Sequence, residues 1–380
     1  MMNSSERKSI LITSSERGTA NILVYIAKEL KRINAPFKIL VDKRAVLPFE
    51  NAGLDYSSPE EYGLKNSGKE ALIDYLKKEK TSLVITGIMG EKKDGLDFNF
   101  ILAARELKIR VVTFLDSWLN YSDRLASIDG RRRFEYLTDK LVLMNRYAYG
   151  RMLSDAPDID TSHLEIIGHL YYNDILKRIE KTTSTLPICD AAPRLLFLSQ
   201  PIEEIYGNTP QSPNYIGYTQ YEIVEKIINA VKKIKQNYEI IIRIHPRDIK
   251  KKYERYLSPE VNIKIDEETD PEELIKSSDI ILGMSTIMLI DSILLKKYTA
   301  SVQIGLREER DMCVLTESGF LKPLMTEEEL FNFLENHYKD NIKDNLERRK
   351  PRLIEWLECQ GDPLRDAIQL IENQLTGREH

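Results

Sequence analysis

Short apolar runs alternate with amphipathic stretches along most of the chain. In the first half, the apolar runs that predict buried strands lie at 9–13, 37–41, 82–86, 110–115, 140–144 and 164–167. Between them, stretches such as 18–32 and 97–107 carry apolar residues at helical spacing. Continuous apolar strands that alternate with helices are typical of a parallel sheet covered by helices on both faces. We therefore predict a doubly wound α/β domain over residues 1–175.

The pattern breaks at a polar segment, 176–193, which is predicted to be a linker because it is rich in threonine, serine and proline. Beyond it the alternation resumes, with predicted strands at 194–198, 239–244, 261–265, 279–282 and 299–304. The last segment, 351–380, is predicted to be a long helix that packs back across the domains. The predicted fold class is therefore α/β: two tandem Rossmann-like doubly wound parallel-sheet domains, 1–175 and 194–350, with a cleft between them.

Composition narrows the class of protein. The 380 residues carry a net charge of -5, with 42% hydrophobic and 30% charged residues, which is ordinary for a globular protein. A mildly acidic balance argues against a nucleic-acid partner. The three cysteines, Cys189, Cys313 and Cys359, are too far apart for a metal clip, and we expect reduced thiols. No apolar run approaches the ~20 residues of a membrane span, and no signal peptide is visible, so a cytoplasmic location is expected.

Ligands of doubly wound sheets bind beyond the carboxyl ends of the strands, so the residues just after each strand are the candidates. Ser14, Ser15 and Gly18 follow the first predicted strand and open a helix. Backbone N–H groups at such a position can meet an anion or a substrate. The alternative is that Ser14 or Ser15 only caps the helix.

A carboxylate and two aromatic residues follow the fourth predicted strand. Asp116 could act as a general base there, and Trp118 and Tyr121 could stack on a sugar ring. The alternative is a helix-capping aspartate with Trp118 anchored in the core. The group at Asp129 to Arg133 is predicted to be a solvated turn.

In the second half, His245, Pro246 and Arg247 follow the strand at 239–244. The histidine and the arginine can both donate hydrogen bonds to phosphate oxygens, and the proline ends the strand. A lone histidine is usually structural. The position of His245 at a strand end, beside an arginine, favours phosphate binding.

Hydroxyl groups follow another strand of the second half. Ser285 and Thr286 open a helix after the strand at 279–282, so they and the helix N–H groups could hold a phosphate. Asp291, further along that helix, could reach a ribose hydroxyl. Ser199 and Gln200 follow the strand at 194–198 and are weaker candidates for the same nucleotide.

These motifs resemble those of the GT-B-type nucleotide-sugar glycosyltransferases over nearly the whole chain. Residues 166–169 are similar to the V-x-G-N-P region of those enzymes. His245-Pro246 resembles the HP motif of bacterial sialyltransferases and polysialyltransferases, and Ser285-Thr286 resembles their paired Ser-Ser/Thr motif. The CDP-glycerol polymerases look similar in this half. The resemblance implies that both motifs bind the phosphate and nucleoside of a CMP-sugar.

The resemblance also implies an activity: inverting transfer of a sugar such as a nonulosonate from a CMP-sugar to a glycan or lipid-linked acceptor. Residues 1–175 would bind the acceptor and 194–350 the donor. Asp116 stands where the family has an Asp/Glu-Asp/Glu-Gly motif, but the sequence reads Asp116-Ser117-Trp118. We expect no cofactor, no metal ion and no nucleic acid. Contact with a membrane surface and assembly into a homo-oligomer are left open.

Two other functions compete with transfer. The non-hydrolysing UDP-N-acetylglucosamine 2-epimerases resemble the chain but carry Ser-Gly-Gly and paired glutamates in the last motif. Here the counterpart reads Ser285-Thr286-Ile287, with Ile290 and Asp291 in the glutamate positions. An epimerase or hydrolase would turn over the nucleotide sugar without an acceptor. The third function is a non-catalytic nucleotide-binding or scaffold protein. Residues 206–218, rich in Gly, Pro and Asn, are predicted to form a mobile loop over the nucleotide.

Overall fold

The computed structural model describes residues 9–65, 68–88, 95–181, 192–234, 237–307, 311–336, 341–359 and 361–377. The chain divides into two compact units. The N-terminal unit comprises Met1–Lys177 together with Ile354–His380, and the C-terminal unit comprises Arg178–Leu353. Within the predicted linker, 176–193, residues 182–191 lie outside the described ranges, as does Cys189, and residues 176–181 are helical.

Twelve strands are found in the described ranges, all paired in parallel. They are β1 Ser9–Ser14, β2 Phe37–Val41, β3 Thr81–Thr86, β4 Arg110–Phe114, β5 Lys140–Leu143, β6 Leu164–Ile166, β7 Arg194–Leu198, β8 Glu239–Arg243, β9 Asn262–Asp266, β10 Ile280–Gly283, β11 Tyr298–Val302 and β12 Pro323–Leu324.

The α-helices lie between and after these strands. They are α1 Arg17–Arg32, α2 Val46–Asn51, α3 Lys69–Lys78, α4 Leu96–Glu106, α5 Tyr121–Leu125, α6 Arg146–Asp155, α7 Leu170–Lys181, α8 Ile202–Tyr206, α9 Gln220–Lys233, α10 Lys250–Tyr253, α11 Pro271–Ser277, α12 Met288–Leu294, α13 Val314–Glu317, α14 Glu327–Glu335, α15 Asn341–Trp356 and α16 Pro363–Thr376. No helix in these ranges is long and apolar enough to cross a bilayer.

Each unit contains one six-stranded parallel sheet. The strand order is β2-β1-β3-β4-β5-β6 in the N-terminal unit and β12-β11-β10-β7-β8-β9 in the C-terminal unit. The predicted fold class, two Rossmann-like units of the GT-B type, is confirmed. The burial of the strands fits this fold: β1 and β3 are buried along almost their whole length, as a sheet covered on both faces requires.

The core of the N-terminal unit draws on both ends of the chain. Leu23 on α1 and Ile85 on β3 share one apolar cluster with Ala367 and Ile371 on α16. Their side chains are wholly buried, and the amphipathic pattern of α16 therefore has its apolar face covered within this unit.

The C-terminal stretch is two helices rather than the single one predicted. α15 ends at Trp356 and α16 begins at Pro363. Gly361 has a φ of 122°, which favours glycine, and Pro363 occupies the first turn of α16, where its missing N–H costs nothing. The Asp362 side chain accepts a hydrogen bond from the backbone of Arg365 and so caps α16.

The predicted loop at 206–218 is only partly what we expected. Its tip is exposed, but Tyr215, Ile216 and Tyr218 are buried at its base. The backbone of Gly217 packs so tightly that an added Cβ would lie 2.0 Å from the carbonyl oxygen of Gly305. The prediction of a mobile loop is therefore wrong for residues 215–218, because Tyr215 is buried and the side chains of Ile216 and Tyr218 belong to the core of the C-terminal unit.

A buried asparagine joins the end of α15 to the sheet of the N-terminal unit. Asn145 follows β5 and is wholly buried. Its Oδ1 accepts from the indole of Trp118 at 3.0 Å and from the backbone of Ala148 at 2.9 Å. Its Nδ2 donates to the carbonyl of Trp356 at 2.8 Å. The rings of Trp118 and Trp356 stack at 5.4 Å, so polar and aromatic contacts act together.

We expect Asn145→Ala to lower the midpoint of thermal unfolding of the protein by several degrees. The substitution leaves buried groups of Trp118, Ala148 and Trp356 without partners, at a cost of about 1–3 kcal/mol for each unsatisfied group. Asn51→Ala, an exposed change at the end of α2, is the matched control and should have little effect. Equal midpoints for the two variants would contradict a structural role for Asn145.

Candidate functional site

The carboxyl ends of the parallel strands form one edge of each sheet, which we call the carboxyl edge. In the N-terminal unit the chain leaves β1 in one direction, to β2, and returns on the other side, to β3. In the C-terminal unit the same reversal separates β7 from β10. Such switch points are where doubly wound sheets bind ligands.

Ser14 and Ser15 lie at the first switch point but are wholly buried. The Ser14 hydroxyl donates to the carbonyl of Glu16 at 2.9 Å. The Ser15 N–H donates to Oδ2 of Asp97 at 3.1 Å, and the Ser15 hydroxyl is 3.4 Å from the Asp97 N–H. Both serines thus hold the turn from β1 to α1, and neither hydroxyl is exposed to a substrate in this conformation.

Asp97 is a buried acid beside that turn. Its Oδ1 has no hydrogen-bond partner in the described part of the chain. Burial raises the pKa of Asp97 to about 7, with a further contribution from the charge of Asp42, and against hydrogen bonds from Ser15 and Thr86. The carboxyl group is therefore partly protonated near neutral pH. Sequence reasoning did not single out Asp97, because an aspartate in a first helical turn is ordinary.

Asp116 is a partly accessible carboxylate at this edge. It follows β4, and its side chain is 20% exposed. A Cβ added to Gly18 would lie 2.1 Å from Asp116 Oδ2, so the carboxylate rests on the first turn of α1, at the positive end of the helix. Nη1 of Arg124 lies 3.3 Å from Asp116 Oδ1 and also donates to the carbonyl of Ile88 at 2.6 Å. The structure thus brings Gly18 and Asp116 together, as two residues after different strands.

The two aromatic candidates do not fit sugar stacking. Trp118 is 1% exposed and Tyr121 is wholly buried. The Trp118 ring stacks on Trp356, and the Tyr121 hydroxyl donates to the carbonyl of Ser117 at 2.8 Å. Both rings lie in the core, because residues distant in sequence cover them, and the alternative of core anchoring describes them better.

His169 belongs to the same aromatic cluster. It follows β6 after Gly168, and its ring stands 6.1 Å from Trp118 and 4.3 Å from Tyr172. Burial lowers the pKa of His169 to about 3, so the imidazole is neutral at physiological pH. Its Nδ1 is buried without a partner among the residues described.

In the C-terminal unit, a tight turn follows β8. The His245 N–H donates to Oδ2 of Asp248 at 2.9 Å, and the Arg247 N–H donates to Nδ1 of His245 at 3.1 Å. Because Nδ1 accepts, the neutral imidazole carries its proton on Nε2. Pro246 and Arg247 are exposed and His245 is partly exposed. The turn therefore presents an imidazole N–H donor and a guanidinium at the carboxyl edge.

Ser199 is connected to that turn by hydrogen bonds through Tyr253 and Asp248. It is 7% exposed, and its hydroxyl is 2.5 Å from the hydroxyl of Tyr253. Tyr253 in turn donates to Asp248 Oδ2 at 2.9 Å, the same oxygen that accepts from the His245 N–H. Ser199 is thus part of a buried hydrogen-bonded chain that fixes the backbone of His245.

The groups at the second switch point are held by one another. Gln200 Oε1 accepts from the Ser285 N–H at 2.8 Å, and Gln200 Nε2 lies 3.2 Å from the Ser285 hydroxyl. The Thr286 hydroxyl accepts from the backbone of Met288 at 3.3 Å, at the start of α12. Asp291 is 4% exposed inside α12. Its position in the core does not suit the predicted contact with a ribose, because α12 is covered on that side.

Solved structures of the same fold were found by comparison. The chain resembles UDP-GlcNAc 2-epimerase from Neisseria meningitidis bound to UDP-GlcNAc, with a TM-score of 0.64 and 16% identity over 96% of this chain and 100% of that one. It also resembles UDP-GlcNAc 2-epimerase from Methanocaldococcus jannaschii in complex with UDP-GlcNAc and UDP, with a TM-score of 0.59 and 19% identity over 91% and 99%.

A glycosyltransferase-like neighbour is MurG from Acinetobacter baumannii, with a TM-score of 0.55 and 12% identity over 96% of this chain and 99% of that one. No protein-family model and no curated protein sequence matches the chain. The fold is therefore the GT-B fold. The finer resemblance to sialyltransferases, polysialyltransferases and CDP-glycerol polymerases gains no support from these structures.

The predicted transfer from a CMP-sugar is wrong as the leading function. The similar structures named above that hold a nucleotide sugar are UDP-GlcNAc 2-epimerases, so the comparisons favour the competing epimerase function. The motif comparison misled because His245-Pro246 and Ser285-Thr286 are short, and a similar pair of residues at a strand end can arise in any protein of this fold. No cluster of three metal-ligating side chains occurs in the described ranges.

We expect Gly18→Ala to destabilise the protein through Asp116. The new Cβ would overlap the Asp116 carboxylate and displace it from Arg124. Gly150→Ala on α6 is the matched control, because a Cβ there meets nothing within 4 Å and alanine favours the helix by about 0.5–1 kcal/mol. The measurement is the midpoint of thermal unfolding for each variant.

The test of the contact itself is a double-mutant cycle. In an Asp116→Ala background the overlap no longer exists, so Gly18→Ala should then lose most of its effect. Strictly additive changes in the two backgrounds would show that Gly18 and Asp116 do not touch.

We expect Asp97→Asn to change the pH dependence of stability. The pKa of Asp97 is raised in the folded protein, so its contribution to stability is complete below the pKa of the unfolded chain and is lost as the pH rises through about 7. An asparagine can still accept from the Ser15 N–H and does not ionise. The unfolding midpoint of the variant minus that of the wild type should therefore increase from pH 5 to pH 8. Asp55→Asn, an exposed change, should give a flat difference; a flat difference for both would refute the assignment.

Proposed function

We propose that the protein is an enzyme of the UDP-N-acetylglucosamine 2-epimerase type, which acts on a UDP-sugar without an acceptor. The support has two parts. The fold matches those epimerases over almost the whole of both chains. The observation in this chain that carries the proposal is the Asp116 carboxylate, partly exposed at the carboxyl edge and fixed between Gly18 and Arg124.

The nucleotide part of the substrate is assigned to the turn after β8. His245 offers an Nε2 proton, since its Nδ1 accepts from Arg247, and the Arg247 guanidinium adds a positive charge. A diphosphate group matches these donors, because hydrogen bonds to phosphate oxygens are strongest from charged or well-oriented N–H groups. Charge that develops on the diphosphate as its bond to the sugar weakens would be stabilised by the same groups.

The sugar part of the substrate is assigned to Asp116. Inversion at C2 requires that the C2–H bond break on one face of the ring, with its proton passing to a base, and that a new C2–H bond form on the opposite face with a proton from solvent water. The site therefore needs a group that accepts a proton. Asp116 is a carboxylate within reach of solvent, whereas Asp97 and Asp291 are buried. Arg124 limits the rotamers of Asp116 and so fixes the direction in which it can accept a proton.

The last motif differs from that of the epimerases, and this sets a boundary on the proposal. Ile290 and a buried Asp291 stand in the positions of the paired glutamates of those enzymes, and Gln200 holds the Ser285 N–H. The proposal therefore concerns the class of reaction and the roles of Asp116, His245 and Arg247. It assigns no group to the ribose.

The experiment is to incubate the purified protein with UDP-N-acetylglucosamine in D2O, with no acceptor, and to follow the sugar by proton NMR. We expect deuterium at C2 and a second set of signals from the manno epimer. Asp116→Asn should lower this rate by about a hundredfold or more while UDP binding is kept. Asp123→Asn, an exposed carboxylate nearby on α5, is the matched control and should retain the rate.

The assignment of His245 and Arg247 to the phosphate groups is tested by calorimetric titration of the same protein with UDP. His245→Gln should weaken UDP binding about tenfold, the value expected for one lost hydrogen bond to a charged group. Absence of both UDP binding and C2 exchange in the wild type would refute the proposed function. Hydrolysis without C2 exchange would remove Asp116 from the role of C2 base.

A further inference from the structure

A second concave site lies in the N-terminal unit, at the opposite edge of the sheet from Asp116. It is an open depression of about 370 Å³ where α4 ends and β4 and β5 begin. Apolar side chains, including Ile101 and Val111, line part of it. The strands begin at this edge, so the depression is separate from the carboxyl edge discussed above.

Three cations of one short segment converge on this depression. Arg105 is in the last turn of α4, Lys108 is in the turn that follows, and Arg110 is the first residue of β4. Lys108 has a φ of 55°, and this left-handed residue reverses the chain so that the helix end and the strand start share the depression. Arg105 donates to the carbonyl of Leu137 at 2.8 Å and Arg110 donates to the side chain of Gln374 at 3.3 Å.

The positive charge of the depression is only partly compensated by the residues that line it. None of Arg105, Lys108 and Arg110 forms an ion pair within the described part of the protein. Asp139 is the one carboxylate among the residues that line the depression, and its Oδ2 accepts from the Val111 N–H at 2.8 Å. The three cations outnumber this carboxylate. A concave surface with an excess of one sign of charge raises the local concentration of the opposite ion, so the depression should attract an anion although the whole chain carries a charge of -5.

A histidine adds a directional group. Nδ1 of His163 lies 2.8 Å from the carbonyl oxygen of Thr138. Because a carbonyl can only accept, Nδ1 carries the proton and Nε2 of the neutral ring is an acceptor. The set of groups therefore comprises two guanidinium groups, one ammonium group and one acceptor for a hydroxyl or N–H group.

A simpler role for these cations is to offset the negative end of the α4 dipole. That role explains Arg105 and Lys108 but not Arg110, which belongs to a strand. α3 also ends on two exposed lysines, Lys77 and Lys78, and they do not line this depression. Lys77 and Lys78 therefore serve as a comparison: they are two cations at a helix end that do not line the depression.

We infer that this depression is a second ligand site, distinct from the proposed catalytic edge, and that it binds a small phosphate-bearing molecule. The phosphate oxygens would be held by Arg105, Lys108 and Arg110, and a hydroxyl or N–H group of the ligand would donate to His163. The site would bind a ligand other than the reacting sugar. Because it lies at the opposite edge of the sheet from Asp116, such a ligand could regulate the enzyme without occupying the proposed catalytic edge.

The test is calorimetric titration of the full chain with inorganic pyrophosphate at constant ionic strength. The wild type should show saturable binding, and Arg105→Gln/Arg110→Gln should weaken it at least about tenfold. The matched control, Lys77→Gln/Lys78→Gln, removes the same charge from the end of α3 and should bind as the wild type does. His245→Gln/Arg247→Gln distinguishes this site from the turn after β8 and should leave this binding event in place.

Three results would overturn the inference: no saturable binding to the wild type, equal weakening by the α3 control, or loss of all binding in the His245→Gln/Arg247→Gln protein. Thermal unfolding of every variant checks that it is folded. If the double arginine variant fails to fold, the single exposed change Lys108→Gln takes its place with the same expected direction.

Discussion

Parallel pairing of the strands is the constraint on which the rest of the structure depends. It requires each strand to begin at one edge of the sheet, so all the turns that follow strands meet at the other edge. Asp116 follows β4 and Gly18 lies in the first turn of α1, after β1, yet they touch because β3 pairs with both β1 and β4. The same rule brings Gln200 after β7 to Ser285 after β10. A candidate site in this fold is thus a property of strand order more than of any single motif.

The second feature that organises the N-terminal unit is the return of the chain end. α16 buries Ala367 and Ile371 against the α1 side of the core, and Asn145 holds the carbonyl of Trp356 across 211 residues of sequence. These contacts place the ring of Trp356 on Trp118, which itself stacks with His169. The wholly buried Asn145 provides hydrogen-bond partners for the indole N–H of Trp118 and the carbonyl of Trp356. The aromatic cluster therefore stabilises the carboxyl edge and is not available to bind a sugar. Its contribution to function would be to fix the backbone that leads into Asp116.

Sequence patterns predicted the strands well because a strand covered on both faces is apolar throughout. β2 and β7 were predicted at their observed bounds. The C-terminal helix was predicted too long because the break at 357–362 depends on Gly361 and Pro363, which interrupt an otherwise continuous apolar spacing. The short helices α5 and α8 have only five residues each and were not predicted, since one turn carries too little periodicity.

Site residues were harder to predict than strands for a physical reason. The position of Asp116 after a strand can be predicted from the neighbouring residues, and Asp116 does lie at the carboxyl edge. Burial is not local: Ser15 is covered by Asp97, 82 residues further on, and Trp118 is covered by the chain end. In the sequence, Arg124 is only a cation eight residues after Asp116. Nothing in the local pattern indicates that its side chain points back to the Asp116 carboxylate.

The phosphate-binding groups proposed for the C-terminal unit were chosen by which donors already have partners within the protein. The Ser285 N–H donates to Gln200, and the Met288 N–H donates to Thr286. Two of the N–H groups at the start of α12 that a phosphate would need therefore already have acceptors. In the turn after β8, the donors of the backbone are also used, by Asp248 and by His245 Nδ1. That internal use has a different effect: it fixes the imidazole tautomer with its proton on Nε2. Because Ser199 and Tyr253 hold Asp248 in place, this donor is oriented before any ligand arrives, which is the condition under which a hydrogen bond favours binding most.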